Sequence, residues 1–129
     1  MKAKRIIIIY KDSNFESTAR TEKLFVSIVN ELVSSGRELK YVNKNTATFE
    51  DGTRVSKFAF GRELLGVRAT ELYIDEDIAK LENGHRYIEN ALTPIVVPEG
   101  NYSTLDVRGK KKDRVLIYSD NSVKKYFEE

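Results

Sequence analysis

The sequence contains no cysteine, and it has one histidine and two prolines among 129 residues. The absence of cysteine excludes disulfides and thiolate metal ligands, and nothing else in the sequence indicates an oxidising compartment. A single histidine, His85, leaves a zinc site without its usual set of ligands. Because His85 follows Gly84 in a polar stretch, we interpret it as a turn or helix-surface residue.

Long apolar runs are also missing from the sequence. The longest uninterrupted run covers residues 6–10, far fewer than the ~20 residues of a membrane-spanning helix. The same run is too short for the apolar region of a signal peptide, which needs at least about 7 residues. We therefore expect a cytoplasmic protein with no membrane partner.

Charged residues are plentiful but nearly balanced, with 22 Lys and Arg against 20 Asp and Glu and a net charge of +2. Such a small net charge is by itself a weak argument for nucleic-acid binding. One dense basic run is either a phosphate-binding segment, for nucleic acid or a nucleotide, or a solvated loop before a strand. Its residues are Arg108, Lys110, Lys111, Lys112 and Arg114.

The first half of the chain predicts a strand followed by a helix. Residues 6–10 are apolar and β-branched without alternation, which is typical of a central strand covered on both faces. Residues 15–35 repeat apolar side chains at helical spacing. Ser13 or Asn14 is a candidate N-cap of this helix, and Gly36 stands at the C-terminal cap position.

The rest of the pattern predicts further strands of one sheet. Asp51-Gly52 lies between two strand-like runs in residues 41–60 and predicts a hairpin that extends a sheet edge. Short apolar runs predict three more strands, at residues 72–74, 95–97 and 115–118. The remaining segments are expected to be a helix at 78–92, a loop or edge at 100–112, and a short helix or tail at 123–129. The predicted fold is a single α/β domain over residues 1–129, with a mixed sheet and flanking helices.

Two adjacent acids, Asp75 and Glu76, follow one of the predicted strands. Ligands of open α/β sheets bind at the carboxyl ends of the strands. In nucleotide hydrolases, an acid at this place holds Mg²⁺ and the next acid orients the attacking water. A structural alternative is that the two acids end the strand and favour the N terminus of the following helix.

Four short motifs follow one another between residues 5 and 121: Gly52-Thr53-Arg54, Gly66-Val67-Arg68, Asp75-Glu76, and Ser119 with Asn121. Their order resembles the ATPase core of phage terminase large subunits, which are P-loop ATPases. In that family a hairpin with a Gly-Ser/Thr-Arg turn precedes a Gly-x-Arg segment and the Walker B strand. A later strand of the family ends in a coupling motif, a Ser or Thr followed shortly by Asn.

The resemblance implies a role for each matching residue. Asp75 would be the metal-binding acid for Mg²⁺ carried by a nucleotide, and Glu76 would be the catalytic acid. Ser119 and Asn121 would be the coupling residues that contact the ligand.

Two arginines complete the implied site. Arg62 and Arg68 would contact or sense phosphate, as the resemblance suggests. Their alternative interpretation is structural, as ion-pair partners of Glu63 and Glu71.

The family's phosphate-binding loop, Gly-x-x-x-x-Gly-Lys-Ser/Thr, has no counterpart in this sequence. In the family it lies upstream of the strand that residues 6–10 match, and only residues 1–5 stand there. Without the amides and lysine of that loop, nothing cradles the β- and γ-phosphates. We therefore do not expect autonomous ATP hydrolysis.

The leading hypothesis is a non-catalytic, phage-type domain associated with a nucleotide or with DNA, in the host cytoplasm if phage-encoded, acting through a protein partner or self-association. One alternative is a partial ATPase completed in trans, and another is a small protein-interaction module. Basic residues gathered on one face would favour nucleic acid. Acids converging with Arg68 and Ser119 would favour a nucleotide, and a large exposed apolar surface would favour a protein partner.

Overall fold

Seven strands form one mixed sheet in the computed structural model, which describes residues 3–64, 66–97 and 112–127. The strands are β1 (Arg5–Tyr10), β2 (Leu39–Val42), β3 (Thr46–Phe49), β4 (Arg54–Ala59), β5 (Glu71–Asp75), β6 (Val115–Tyr118) and β7 (Val123–Lys125). Their order across the sheet is β2-β3-β4-β1-β5-β6-β7. The four central strands are parallel, and the outer strands β2, β3 and β7 run antiparallel to their neighbours. The prediction of an α/β fold with a mixed sheet is confirmed.

The central strand β1 buries consecutive isoleucines because both faces of the sheet are covered there. Ile6 and Ile8 pack with helix α1 (Phe15–Ser34), whereas Ile7 and Ile9 pack with the layer on the opposite face. Since side chains alternate across a strand, an uninterrupted apolar run fits a strand with two covered faces. The prediction for residues 6–10 is therefore confirmed, with the strand beginning one residue earlier.

Helix α1 begins after Asn14, whose side chain accepts hydrogen bonds from the backbone N–H groups of Glu16 and Ser17. This cap satisfies two of the amides that a helix N terminus leaves free. The helix ends before Gly36, whose φ of 102° suits a residue without a side chain. Its buried apolar side chains contact the sheet: Phe25, Ile28 and Leu32. Among the described residues, no helix combines the length and hydrophobicity needed to cross a membrane.

The predicted hairpin is present as β3 and β4, joined by a turn that contains Asp51 and Gly52. Gly52 has a φ of 92°, and a carboxylate oxygen of Asp51 accepts a 2.8 Å hydrogen bond from the backbone of Thr53. Because β4 also pairs in parallel with β1, the hairpin and β2 extend the sheet on that side. The expectation of a hairpin at a sheet edge is confirmed.

The layer opposite α1 consists of short helical segments rather than the single helix expected for residues 78–92. They are α2 (Glu76–Ala79), α3 (Gly84–Tyr87), a π-helix (Ile88–Leu92) and a 3-10 helix (Thr93–Ile95). A Cβ at Gly84 would overlap the carbonyl oxygen of Ile78 and lie 3.0 Å from that of Ala79. Glycine therefore lets α3 begin against the end of α2, and the chain changes direction there.

Two predicted segments differ from the structure. Residues 95–97 were expected to be a sheet strand, but only Val96 forms an isolated parallel bridge, with Ala69. Pro94 stands inside the preceding 3-10 helix, where its fixed φ and missing N–H disfavour a paired strand. Residues 123–129 were expected to be a helix or tail, but Val123–Lys125 is strand β7. A tight turn bonded from Ser119 to Ser122 returns the chain antiparallel to β6.

Candidate functional site

The predicted metal-binding acid, Asp75, ends β5 and caps the N terminus of α2. Its side chain is completely shielded from solvent. Oδ2 accepts a 2.6 Å hydrogen bond from the hydroxyl of Ser17, and Oδ1 accepts hydrogen bonds from Arg20 at 2.7 Å and from the backbone N–H of Asp77 at 2.8 Å. Both carboxylate oxygens are therefore occupied by donors from the chain itself.

Arg20 lies at the centre of a cluster of acids at the carboxyl end of the parallel strands. Besides Asp75, its guanidinium lies 3.1 Å from Asp120, 3.3 Å from Asp77 and 4.0 Å from Glu76. Burial by itself disfavours the charge of Arg20, but the hydrogen bond to Asp120 and the nearby Asp75 and Asp77 outweigh it and raise the pKa of the guanidinium. Arg20 is thus a permanent internal cation held among carboxylates.

The contact between Arg20 and Asp75 disfavours a metal ion at Asp75. The described residues contain no group of three or more acids or histidines placed to hold a metal ion. For Asp75 to bind Mg²⁺, the guanidinium of Arg20 would first have to leave it. Glu76, the predicted catalytic acid, is half-buried and lies near two cations, 4.0 Å from Arg20 and 3.8 Å from Lys80. The cluster joins α1, β5 and the turn after β6.

The residues predicted for the coupling motif lie at the same edge of the sheet. Ser119 and Asn121 stand in the turn between β6 and β7. The Ser119 hydroxyl lies 2.8 Å from that of Ser122, and Asn121 is exposed. The contact between this turn and Asp75 is made through Arg20 by Asp120, a residue that the sequence analysis did not select.

Sequence reasoning also missed Ser17 and Arg20. A signal was present, because Ser17, Arg20 and Thr21 have the i, i+3, i+4 spacing of one helix face and continue the buried stripe of α1 towards its N terminus. All three are buried, and each makes a hydrogen bond. Polar residues on the buried side of a helix need partners there, which predicts acids or hydroxyls at the facing sheet edge.

The structure separates Arg68 from the acids. Arg68 precedes β5, whereas Asp75 ends it, so the two lie at opposite ends of that strand. Arg62 follows β4, and its guanidinium lies 5.0 Å from the centre of the Phe58 ring. Arg62 and Arg68 share the lining of a cavity of ≈ 460 Å³ beside the π-helix.

The alternative interpretation of these arginines as ion-pair partners of Glu63 and Glu71 does not hold within the part of the chain that the structure describes. Glu71 instead lies 3.8 Å from Lys4, and no ion pair within residues 3–64, 66–97 and 112–127 includes Arg62 or Arg68.

Three arginines meet at a second cavity, of ≈ 310 Å³, at the amino end of the parallel strands. Arg5 begins β1 and Arg54 begins β4, directly opposite each other in the register, and Arg68 comes from the loop before β5. Gly52 and Gly66, both with positive φ, complete the turns around it. Among the described residues, none of these arginines belongs to an ion pair. We call this site the arginine cavity.

The structure describes two residues of the basic run for which nucleic-acid binding was one interpretation. Lys112 is exposed, with its ammonium 5.3 Å from the centre of the Phe127 ring, and Arg114 is half-buried just before β6. Arg108, Lys110 and Lys111 lie outside the described residues.

The chain matches no protein-family model, no curated protein and no solved structure. The two clusters at opposite ends of the sheet are therefore the features that bear on function.

Proposed function

We propose that this chain is a non-catalytic, terminase-ATPase-like domain that binds nucleic acid through phosphates at the arginine cavity. One observation carries the proposal: Arg5, Arg54 and Arg68 line one cavity, and no ion pair among the described residues neutralises them. All three arginines are exposed, so their guanidinium groups are accessible to an anion from solution. A planar guanidinium is also the side chain best suited to bidentate phosphate contacts.

The acids argue for binding rather than hydrolysis. Asp75 is buried, and both of its carboxylate oxygens already accept hydrogen bonds, from Arg20, Ser17 and the backbone of Asp77. Arg68, the implied phosphate contact, stands at the other end of β5. A nucleotide site was expected to bring the acids and Arg68 together around one ligand. The acids and Arg68 therefore do not form such a site.

The small net charge of the protein means that binding of nucleic acid depends on a local cluster of cations. With a net charge of only +2, attraction must come from a local cluster, and the arginine cavity is such a cluster. If its three arginines each neutralise one phosphate, the logarithm of the binding constant for duplex DNA falls with the logarithm of salt concentration with a slope of about −2 to −3.

The experiment is fluorescence anisotropy of a labelled DNA oligonucleotide titrated with the purified chain at several salt concentrations. We expect salt-dependent binding that Arg54→Ala weakens, with the salt slope becoming about 1 unit shallower. The matched control is Arg86→Ala, which removes an exposed arginine on α3, away from the cavity. Equal losses for Arg54→Ala and Arg86→Ala would contradict a specific site.

A parallel calorimetric titration with Mg-ATP separates this proposal from the partial ATPase completed in trans. Binding of Mg-ATP that Asp75→Ala abolishes, in a variant that circular dichroism shows to be folded, would favour the ATPase. Absence of binding to both DNA and Mg-ATP would leave the protein-interaction module as the remaining function.

A further inference from the structure

Four side chains form a straight row across the sheet. The register places Tyr41 of β2 opposite Thr48 of β3, Thr48 opposite Arg54 of β4, and Arg54 opposite Arg5 of β1. Residues directly opposite each other in neighbouring strands share a face of the sheet. The row therefore leads from the two arginines of the arginine cavity to an aromatic side chain at the sheet edge.

The row lies on the face opposite α1. The neighbours of Thr48 and Arg54 along their strands, Ala47 and Val55, pack in the cluster beneath α1, so the row residues point the other way. Among the described residues, the apolar cluster on this opposite face takes side chains from β1, β4, β5 and β6 but none from β2 or β3. Within the described ranges, the part of this face that β2 and β3 form therefore lies outside the apolar cluster.

The row has both polar and aromatic character. Tyr41 is 51% exposed, which is high for a large ring on a strand. The hydroxyl of Thr48 is shielded from solvent and has no hydrogen-bond partner within the described ranges 3–64, 66–97 and 112–127. A shielded hydroxyl without a partner is uncommon in native proteins, and a bound ligand can supply the missing partner once the side chains that shield the hydroxyl move aside. Beside Arg54, that partner would be a phosphate or sugar oxygen.

We infer that this row, Tyr41-Thr48-Arg54-Arg5, is a track for single-stranded nucleic acid, with a phosphate at the two arginines and a base stacked on Tyr41. The inference rests on the proposed function and names the form of nucleic acid it concerns. Neighbouring strands are about 4.8 Å apart, so Tyr41 lies roughly 10 Å from Arg54 along the row. The sugar and base of one or two nucleotides can bridge that distance from a bound phosphate.

The aromatic end of the row selects a single strand. A base can lie on the Tyr41 ring only if it is free to turn out of its stack, and the bases of a duplex are paired and stacked. Contacts of an aromatic ring with a base face tolerate any sequence. We therefore expect little base preference, and binding of both DNA and RNA single strands.

The test compares labelled oligo-dT and oligo-U with a DNA duplex of equal length, using the full chain and anisotropy. We expect each single strand to bind about 10-fold or more tightly than the duplex, and Tyr41→Ala to weaken single-strand binding about 5- to 100-fold. Tyr41→Phe keeps the ring and should retain affinity within about 2-fold. The matched control is Phe15→Ala, which removes an exposed aromatic side chain at the start of α1.

Thr48→Val provides a second variant that keeps the shape of the side chain and removes its hydroxyl. If the hydroxyl contacts the ligand, we expect Thr48→Val to bind single strands about 3- to 10-fold more weakly. We expect no loss of thermal stability, because the hydroxyl has no hydrogen-bond partner among the residues that the structure describes. If Thr48→Val binds single strands with unchanged affinity, the hydroxyl plays no part in binding and Thr48 does not belong to the track.

The outcomes distinguish the inference from the proposed function. If duplex and single strand bind equally and Tyr41→Ala has no effect, while Arg54→Ala still weakens binding, the track is wrong and phosphate binding at the arginine cavity stands. If no nucleic acid binds at all, both are wrong. Selective loss of single-strand binding in Tyr41→Ala supports both.

Discussion

Arg20 in α1 donates a 2.7 Å hydrogen bond to Asp75 at the end of β5, and the side chains of the two residues are 6% and 0% exposed. The pair ties the first helix to the central sheet across 55 residues of sequence. Taking two charges out of water is costly, so such a pair persists only where further hydrogen bonds complete it. Ser17, Asp77 and Asp120 provide them here.

Removing Asp75 is expected to destabilise the fold. Asp75→Ala leaves Arg20 with fewer acids in a shielded site, and breaking a buried pair typically costs about 3–5 kcal/mol. Because Asp77 and Asp120 remain close to Arg20, we expect the lower end of that range. Urea unfolding of the purified variant measures the change. Glu76→Ala is the control, and a loss as large as that of Asp75→Ala would contradict the assigned roles.

Magnesium is expected to leave the stability of the free protein unchanged. A cation that bound the native state would raise the free energy of unfolding with its concentration. Asp75 is buried, and its carboxylate already carries the positive guanidinium of Arg20 at 2.7 Å, which repels a second cation. Thermal melts with and without MgCl₂ provide the measurement. A rise in the midpoint that Asp75→Asn abolishes would show that Arg20 gives way to the metal.

Alkaline pH is expected to destabilise the protein through Tyr118. Burial raises the pKa of Tyr118 above its ordinary value of 10.0, and its hydroxyl lies 2.6 Å from that of Thr21. Below pH 10 the phenol is neutral in both states, so its contribution to stability is fully present. Above pH 10 the unfolded chain loses the proton that the folded chain keeps, and the free energy of unfolding falls as pH rises.

Urea unfolding at a series of pH values between 8 and roughly 11 tests this dependence. Tyr118→Phe should cost about 1 kcal/mol at neutral pH, because the Thr21 hydroxyl loses a partner, and it should flatten the alkaline decline. Tyr73, whose pKa is also raised by burial, contributes part of the same decline. An unchanged slope in the double variant Tyr73→Phe/Tyr118→Phe would refute the assignment.

Gly84 is expected to tolerate no side chain. Gly84→Ala would place a methyl group against the carbonyl oxygens of Ile78 and Ala79, and overpacking against backbone costs about 1–3 kcal/mol. Gly61→Ala is an informative comparison, because a Cβ at Gly61 meets no atom within 4 Å and the cost is only that of its φ of 90°, about 1–2 kcal/mol. Thermal melts measure both costs. Amide hydrogen exchange should be faster in α3 and the π-helix of Gly84→Ala but not of Gly61→Ala.

Local patterns in the sequence were sufficient for much of the fold. The isoleucine run of β1, the Asn14 cap of α1 and the Asp51-Gly52 turn are each decided by side chains within a few residues of one another. Such signals act through alternation, capping and allowed backbone angles, which hold whatever the rest of the chain does. Residues 95–97 and 123–125 were misassigned because their structure depends on neighbours in space: Ala69 for the isolated bridge and β6 for strand β7.

Some features of the candidate sites likewise follow from local sequence, and others depend on tertiary structure. The sequence by itself determined that acids follow a buried strand at Asp75, because an apolar run ending in carboxylates is a local pattern. Only the tertiary structure decided that Arg20 occupies that carboxylate, and that Tyr41, Thr48, Arg54 and Arg5 share one row. Strand order and register depend on which distant segments pack together, and a shift of one residue would turn each side chain to the other face.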